Sequence, residues 1–166
     1  MLGSGMNEKF NIRFMVDHML IKLGKYLRIL GYDAAWDKNV RTHELILRGN
    51  LEGRTFLTRN TSLRDQYPEA NQVLIVTSID PVKQLYEVIR SKGLDLHSGL
   101  FSKCIRCNVL LDKVSDKKEI ESAVHPNVYT RNEEFFKCPV CGTVFWHGSH
   151  VTNTCNKLGI KLPEIH

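Results

Sequence analysis

The apolar positions of the first hundred residues change period several times. The stretch I-R-F-M-V at 12–16 is short and apolar and predicts a strand ending at Asp17. M-L-I-K-L-G-K-Y-L-R-I-L at 19–30 predicts a helix. Leu20, Leu23, Leu27 and Leu30 fall on one stripe at helical spacing, and Gly31 is the expected stop. Ala34 to Trp36 predicts a short strand. A second helix is expected from Thr42, read as its N-cap, through Leu45, Ile46 and Leu47 to Gly53. Thr55 to Thr58 then reads as a strand. V-L-I-V-T at 73–77 is β-branched, apolar and uninterrupted, the pattern of a buried strand. Asp80 supplies an N-cap and Pro81 a first helical residue, and Val82, Leu85 and Val88 or Ile89 carry that helix to Gly93. Strand and helix alternate about four times. The expected class is α/β, a parallel sheet flanked by helices.

The pattern breaks near residue 100. Residues 101–150 hold short apolar pairs between turns, and the tail at 151–166 has no strong period. Met1 to Met6 reads as a short leader before a second start. The expected organisation is a leader at 1–8, an α/β domain at 9–100, a small β-rich cysteine module at 101–150 and a tail at 151–166. No internal repeat or low-complexity segment is visible.

Four of the five cysteines lie in two C-x-x-C pairs, Cys104/Cys107 and Cys138/Cys141, about thirty residues apart. Each turn can aim two thiolates at one ion, and two turns complete a tetrahedron. The gap exceeds the usual zinc-ribbon spacing of roughly fifteen to twenty residues, which an inserted loop would explain. The expected cofactor is a structural Zn²⁺ with no open position; a redox pair or unligated thiols is the other reading. Gly142 suits the turn after the second pair. Cys155 stands alone. This usage suits a reducing compartment, so an intracellular, cytoplasmic setting is expected.

Charge adds less. The net charge is +5; four thiolates subtract four and the ion adds two, leaving +3. Apolar content of 42% and charged content of 25% are ordinary for a globular protein. No apolar run reaches membrane-spanning length and no signal-peptide pattern is present, so no membrane partner is expected.

Polar chemistry gathers where strands end. Asp17 follows the first strand, and Thr58-Arg59-Asn60 leaves the third. In open α/β sheets ligands bind outside the carboxyl ends of the strands. Asp17 reads as a metal ligand or a helix N-cap, and Glu44 as a weak second ligand or a first-turn acid. Lys22, Lys25 and Arg28 are expected on the helix face away from the leucines. Arg41, Arg48, Arg54, Arg59 and Arg64 surround the second helix and the T-R-N turn, and Lys103 and Arg106 flank the first cysteine turn. Trp146, His147 and His150 close the module in F-W-H-G-S-H, as a stacking ring with phosphate or base contacts, or as a polar strand end. Tyr26, Ile29 and Tyr86 are expected on exposed helix faces where a protein partner could dock.

Three stretches together carry a resemblance. F-M-V-D-H-M-L-I-K-L-G-K-Y-L-R-I-L-G-Y-D at 14–33, E-G-R-T-F-L-T-R-N at 52–60, and the C-x-x-C pairs ending in F-W-H-G-S-H resemble the Mut-seven C-terminal RNase-domain family. The resemblance spans about residues 12–151. It implies a PIN-like α/β domain followed by a four-cysteine zinc ribbon, found alone in prokaryotes and at the end of an animal 3'–5' exoribonuclease. Asp17 matches the family's first-strand aspartate, and His150 its final histidine. Asn60 stands where the family's threonine-arginine turn carries an acid, and the acids of the second helix are poorly matched by Thr42, His43 and Glu44. The implied function is an RNA-binding accessory domain of an exoribonuclease, with single-stranded RNA as partner and a degenerate nuclease site. An active ribonuclease using Mg²⁺ or Mn²⁺, and a protein-docking module of a ribonuclease complex, are the alternatives.

Overall fold

The structure is a computed structural model that describes residues 11–162; the leader expected at 1–8 and the last four residues lie outside it. The chain forms two compact units, one ending at Phe101 and the other beginning at Ser102.

The first unit is built on four parallel strands in the order β2-β1-β3-β4. These are β1 (Arg13–Val16), β2 (Asp33–Ala35), β3 (Thr55–Thr58) and β4 (Val73–Ile75). A 3-10 turn, His18–Leu20, leads into α1 (Ile21–Ile29); α2 (Thr42–Leu51), a short α3 (Leu63–Gln66) and α4 (Pro81–Lys92) follow. Strand residues alternate between faces. Met15 and Phe56, paired in register, point with Leu45, Ile46, Leu63 and Ala70 into one apolar layer. On the other face α1 packs on α4 and buries all four leucines of the expected stripe. The parallel sheet with helical layers is therefore the class that the alternating pattern predicts.

Gly31 ends α1 at φ +92°, where a Cβ would sit 2.4 Å from the Gly99 carbonyl oxygen. Gly31→Ala is expected to destabilise the unit by roughly 2–5 kcal/mol, combining left-handed strain with overpacking. A shift of the denaturant midpoint measures it, and an unchanged midpoint would show the backbone moving aside freely.

Four local expectations differ from the structure. Thr42 is the first helical residue, not the cap; Arg41 is the N-cap, with no side-chain cap bond. β4 stops at Ile75 and is half-buried, because it is an edge strand. Tyr26 and Ile29 are buried between α1 and its neighbours, so they form no exposed docking face; Tyr86 is half-buried. The tail, where no strong period is visible, carries most of a helix, Ser149–Leu158.

The second unit is an antiparallel sheet of β5 (Asp112–Lys113), β6 (Phe136–Lys137) and β7 (Val144–Phe145). The long spacer between the cysteine pairs folds as a 3-10 segment, Lys117–Ala123, and α5 (Pro126–Arg131). Ile120 and Phe135 are buried there, and Lys117 lies 4.7 Å over the Tyr129 ring. α6 (Ser149–Leu158) buries Val151, Cys155 and Leu158.

Candidate metal centre and sheet-edge site

The two cysteine turns share one backbone design. In the first, Asn108 N–H donates to Cys104 O at 2.9 Å and Cys104 N–H to Val109 O at 2.9 Å. In the second, Gly142 N–H donates to Cys138 O at 3.0 Å and Cys138 N–H to Thr143 O at 3.0 Å. Each turn needs a left-handed residue after its second cysteine, supplied by Asn108 at φ 61° and Gly142 at φ 73°. Asparagine tolerates that region better than most side chains.

The four sulfurs lie within 4.8 Å of one another, and Cys104 Sγ is 3.8 Å from Cys141 Sγ. A tetrahedral zinc thiolate with bonds of about 2.3 Å has sulfurs about 3.8 Å apart, so the set fits such an ion. Val140 and Cys141 N–H both point at Cys138 Sγ, each at 3.4 Å, as donors suited to a thiolate. The hydroxyl and backbone N–H of Thr143 hold the Cys141 thiol down to about 6. Burial, then the neighbouring sulfurs, push Cys107 up to about 12, and burial raises Cys104. Three more sulfurs around each thiolate disfavour a fully deprotonated set unless a cation sits among them.

The other site lies at the carboxyl edge of the parallel sheet. The strand order reverses between β1 and β3, and there the crevice of an open α/β sheet opens. Asp17 leaves β1 at that point with only 4% exposure. Its Oδ1 accepts from His18 N–H at 2.8 Å and its Oδ2 from the buried Thr58 hydroxyl at 2.7 Å. Asp17 caps the 3-10 turn, as its N-cap reading expects, and stands at the switch point. His18, which the sequence reading passed over, donates from Nε2 to Val40 O at 2.8 Å and ties the β2–α2 loop to this edge.

The other acids of this region form no group of three or more potential ligands with Asp17 among the described residues. Asn60 Oδ1 accepts from Ser62 N–H at 3.0 Å and its amide donates to Gln66 at 2.8 Å, so this side chain closes the turn into α3. Glu44 is exposed in the first turn of α2. Asp80 caps α4 through Val82 and Lys83 N–H, and that N–H, with the Lys83 and Lys22 charges nearby, holds its carboxyl below the usual range. Burial works against the Glu87 charge, but Thr77 and Ser78 N–H and the Thr77 hydroxyl outweigh it and lower its pKa. Among the described residues the four cysteines are the one group of three or more potential ligands close enough to share an ion.

The basic residues sort by position. Lys22 and Lys25 are exposed on α1, and exposed Arg59 reaches Thr77 O at 3.5 Å across the edge. Lys83, absent from the sequence reading, joins Lys22 beside Asp80. Arg28 departs from the expected cationic face: it is buried, stacks 3.5 Å over the Trp36 ring and donates from Nε to Ala34 O at 2.8 Å. Arg54 pairs with Asp33 at 2.6 Å and with Glu52 at the opposite end of the sheet, and Arg64 reaches Val73 O at 3.4 Å at the start of β4. In the cysteine unit, half-buried Lys103 donates to Asn108 O at 3.2 Å and braces the first turn, whereas Arg106 is exposed. Trp146 is half-buried, edge-on to His150 at 5.4 Å, and exposed His147 stacks on Phe136 at 5.5 Å.

A parallel sheet with an acid at its switch point, followed by an antiparallel ribbon with four clustered cysteines, defines an α/β domain carrying a module able to hold a metal ion. The chain belongs to the Mut7-C RNAse domain family, whose model matches residues 12–158. No curated protein and no solved structure matches it. Among the described residues no helix is long and apolar enough to cross a membrane.

Proposed function

We propose that this chain is an RNA-binding accessory domain of a 3'–5' exoribonuclease, with a nuclease site that no longer assembles and a structural zinc. The observation that carries this reading is that, among the described residues, Asp17 belongs to no group of three or more potential ligands. Metal-ion hydrolysis of phosphodiesters needs several carboxylates around one or two ions. Here one buried acid accepts from the Thr58 hydroxyl and the His18 N–H, and the turn residue beside it is an amide turned toward α3. Fewer acids also mean less repulsion of phosphate, and Lys22, Lys25 and Arg59 face solvent at the same edge.

Purified protein is expected to bind single-stranded RNA and to give no cleavage above background in Mg²⁺ or Mn²⁺. Cleavage that Asp17→Asn abolishes would reverse the reading and make the chain an active ribonuclease. Binding to a protein component of a ribonuclease complex, with no RNA affinity, would make it a docking module.

Zinc is the ion proposed for the cysteine set, because four thiolates in a closed tetrahedron suit it. Cys104 and Cys107, both raised above the ordinary thiol range, must each lose a proton to bind it. Apparent zinc affinity is therefore expected to fall as pH falls, about tenfold per pH unit for each of these two thiols. Competition with a chromophoric chelator between about pH 6 and 8 measures the slope. An affinity independent of pH would mean that the thiols are not the ligands.

A further inference from the structure

Two apolar side chains stand in solvent at the edge where Asp17 lies. Met19 is 59% exposed in the turn that leaves β1, and Ile79 is 80% exposed in the loop that leaves β4. β3 lies between these strands and delivers Arg59 to the same edge. Neighbouring strands are about 4.8 Å apart, so the β1 and β4 exits lie about 10 Å from each other. Lys22 is the second residue of the helix after Met19, Lys83 the third of the helix after Ile79, and the charges of both lower the Asp80 pKa. The edge therefore presents an apolar residue and a cation over β1, a cation over β3, and an apolar residue and a cation over β4.

A lone exposed apolar residue calls for no explanation. Two of them, spaced across one ligand edge and interleaved with three cations, match a polymer that alternates charge with flat apolar faces. We infer that Met19 and Ile79 support the unstacked bases of a single-stranded RNA while Lys22, Arg59 and Lys83 hold its phosphates. This deepens the RNA-binding reading and rests on it. A duplex keeps its base faces stacked inside and offers this edge only phosphates, so the apolar pair selects single strands. An acidic peptide would satisfy the cations, but a run of carboxylates offers the exposed Met19 and Ile79 no apolar face.

The test uses the full chain and three probes: a short oligouridine, an abasic strand of the same length and a duplex RNA. Wild type is expected to prefer the oligouridine over the abasic strand by about tenfold, as burying Met19 and Ile79 against two bases would supply. The double variant Met19→Ser, Ile79→Ser should lose that preference and bind both strands alike, with duplex affinity and salt slope unchanged. Met19→Leu with Ile79→Val should retain it. Both positions are exposed, so circular dichroism should show each variant folded. A double variant that still prefers the oligouridine overturns the inference and leaves RNA binding by this chain intact. Equal losses for duplex and single strand also overturn it, since the pair would then not be touching bases. A wild type that binds none of the three probes, or an acidic peptide instead, removes the RNA-binding reading and this inference together.

Discussion

Cys104→Ser is expected to unfold the cysteine unit and leave the parallel sheet intact. The strands of that unit are two residues each, and its buried apolar residues are few: Ile120, Phe135, Val151, Leu158 and Ile160 among them. A core this small does not hold such a unit by packing alone. Structural zinc contributes roughly 10–16 kcal/mol of apparent binding free energy, which makes ligation part of folding. Removing one thiolate should release the ion, abolish amide protection from about Ser102 to Leu158, and leave protection in β1 and β3 unchanged. Cys155→Ala is the control, since that buried thiol lies outside the sulfur cluster. A metal-free Cys104→Ser protein with full protection in the cysteine unit would show that the fold does not depend on the ion. Well-folded wild type without zinc would remove zinc from the account.

The parallel sheet was legible because helix and strand periods alternate cleanly up to Gly93, and because the leucine stripe of α1 is unbroken. The cysteine set was legible for a different reason. Two C-x-x-C pairs constrain backbone and chemistry together, and the left-handed Gly142 sits where the turn requires it. Its twin, Asn108, carried a weaker signal, since asparagine also occurs in ordinary loops. α6 was readable in principle from the spacing of Val151, Cys155 and Leu158, but Thr152, Asn153, Thr154 and Asn156 between them lower its helix propensity.

The sheet-edge site was only partly legible, because it depends on which side chains meet. Arg28 follows Lys22 and Lys25 at helical spacing and reads as a third surface cation. Only the fold shows that Trp36, arriving from β2, covers it. The Thr58–Asp17 bond joins residues 41 positions apart, a pairing that periodicity cannot supply. Lys83 lies three residues past Asp80 in the sequence, and only the fold brings the Lys22 charge near that same carboxyl. Local spacing reports which face a residue takes on its own element. It does not report which element lies opposite.

The triple variant Lys22→Glu, Arg59→Glu, Lys83→Glu is expected to lose most of the RNA affinity that depends on salt. Each cation in contact with a single strand contributes a slope of about 0.7 in log affinity against log salt. Between 1 M and about 0.05 M salt one such contact is worth roughly eightfold, and three are worth roughly 500-fold. The loss should therefore be large at low salt, should shrink as salt rises, and should be nearly the same for different RNA sequences, because phosphates carry no sequence information. Lys22 and Lys83 help hold the Asp80 carboxyl below its usual range, so the cap of α4 must be checked. That cap rests first on the Lys83 backbone N–H, which the substitution keeps, and helix content should be unchanged. Trp146→Ala makes the opposite kind of change. If its half-buried ring stacks on a base, the loss should be roughly 1–3 kcal/mol with the salt slope preserved. A folded triple variant with wild-type affinity and slope would return Lys22, Arg59 and Lys83 to the status of solvated surface charges. The docking-module reading would then account better for an edge that is basic, apolar at two points and short of acids.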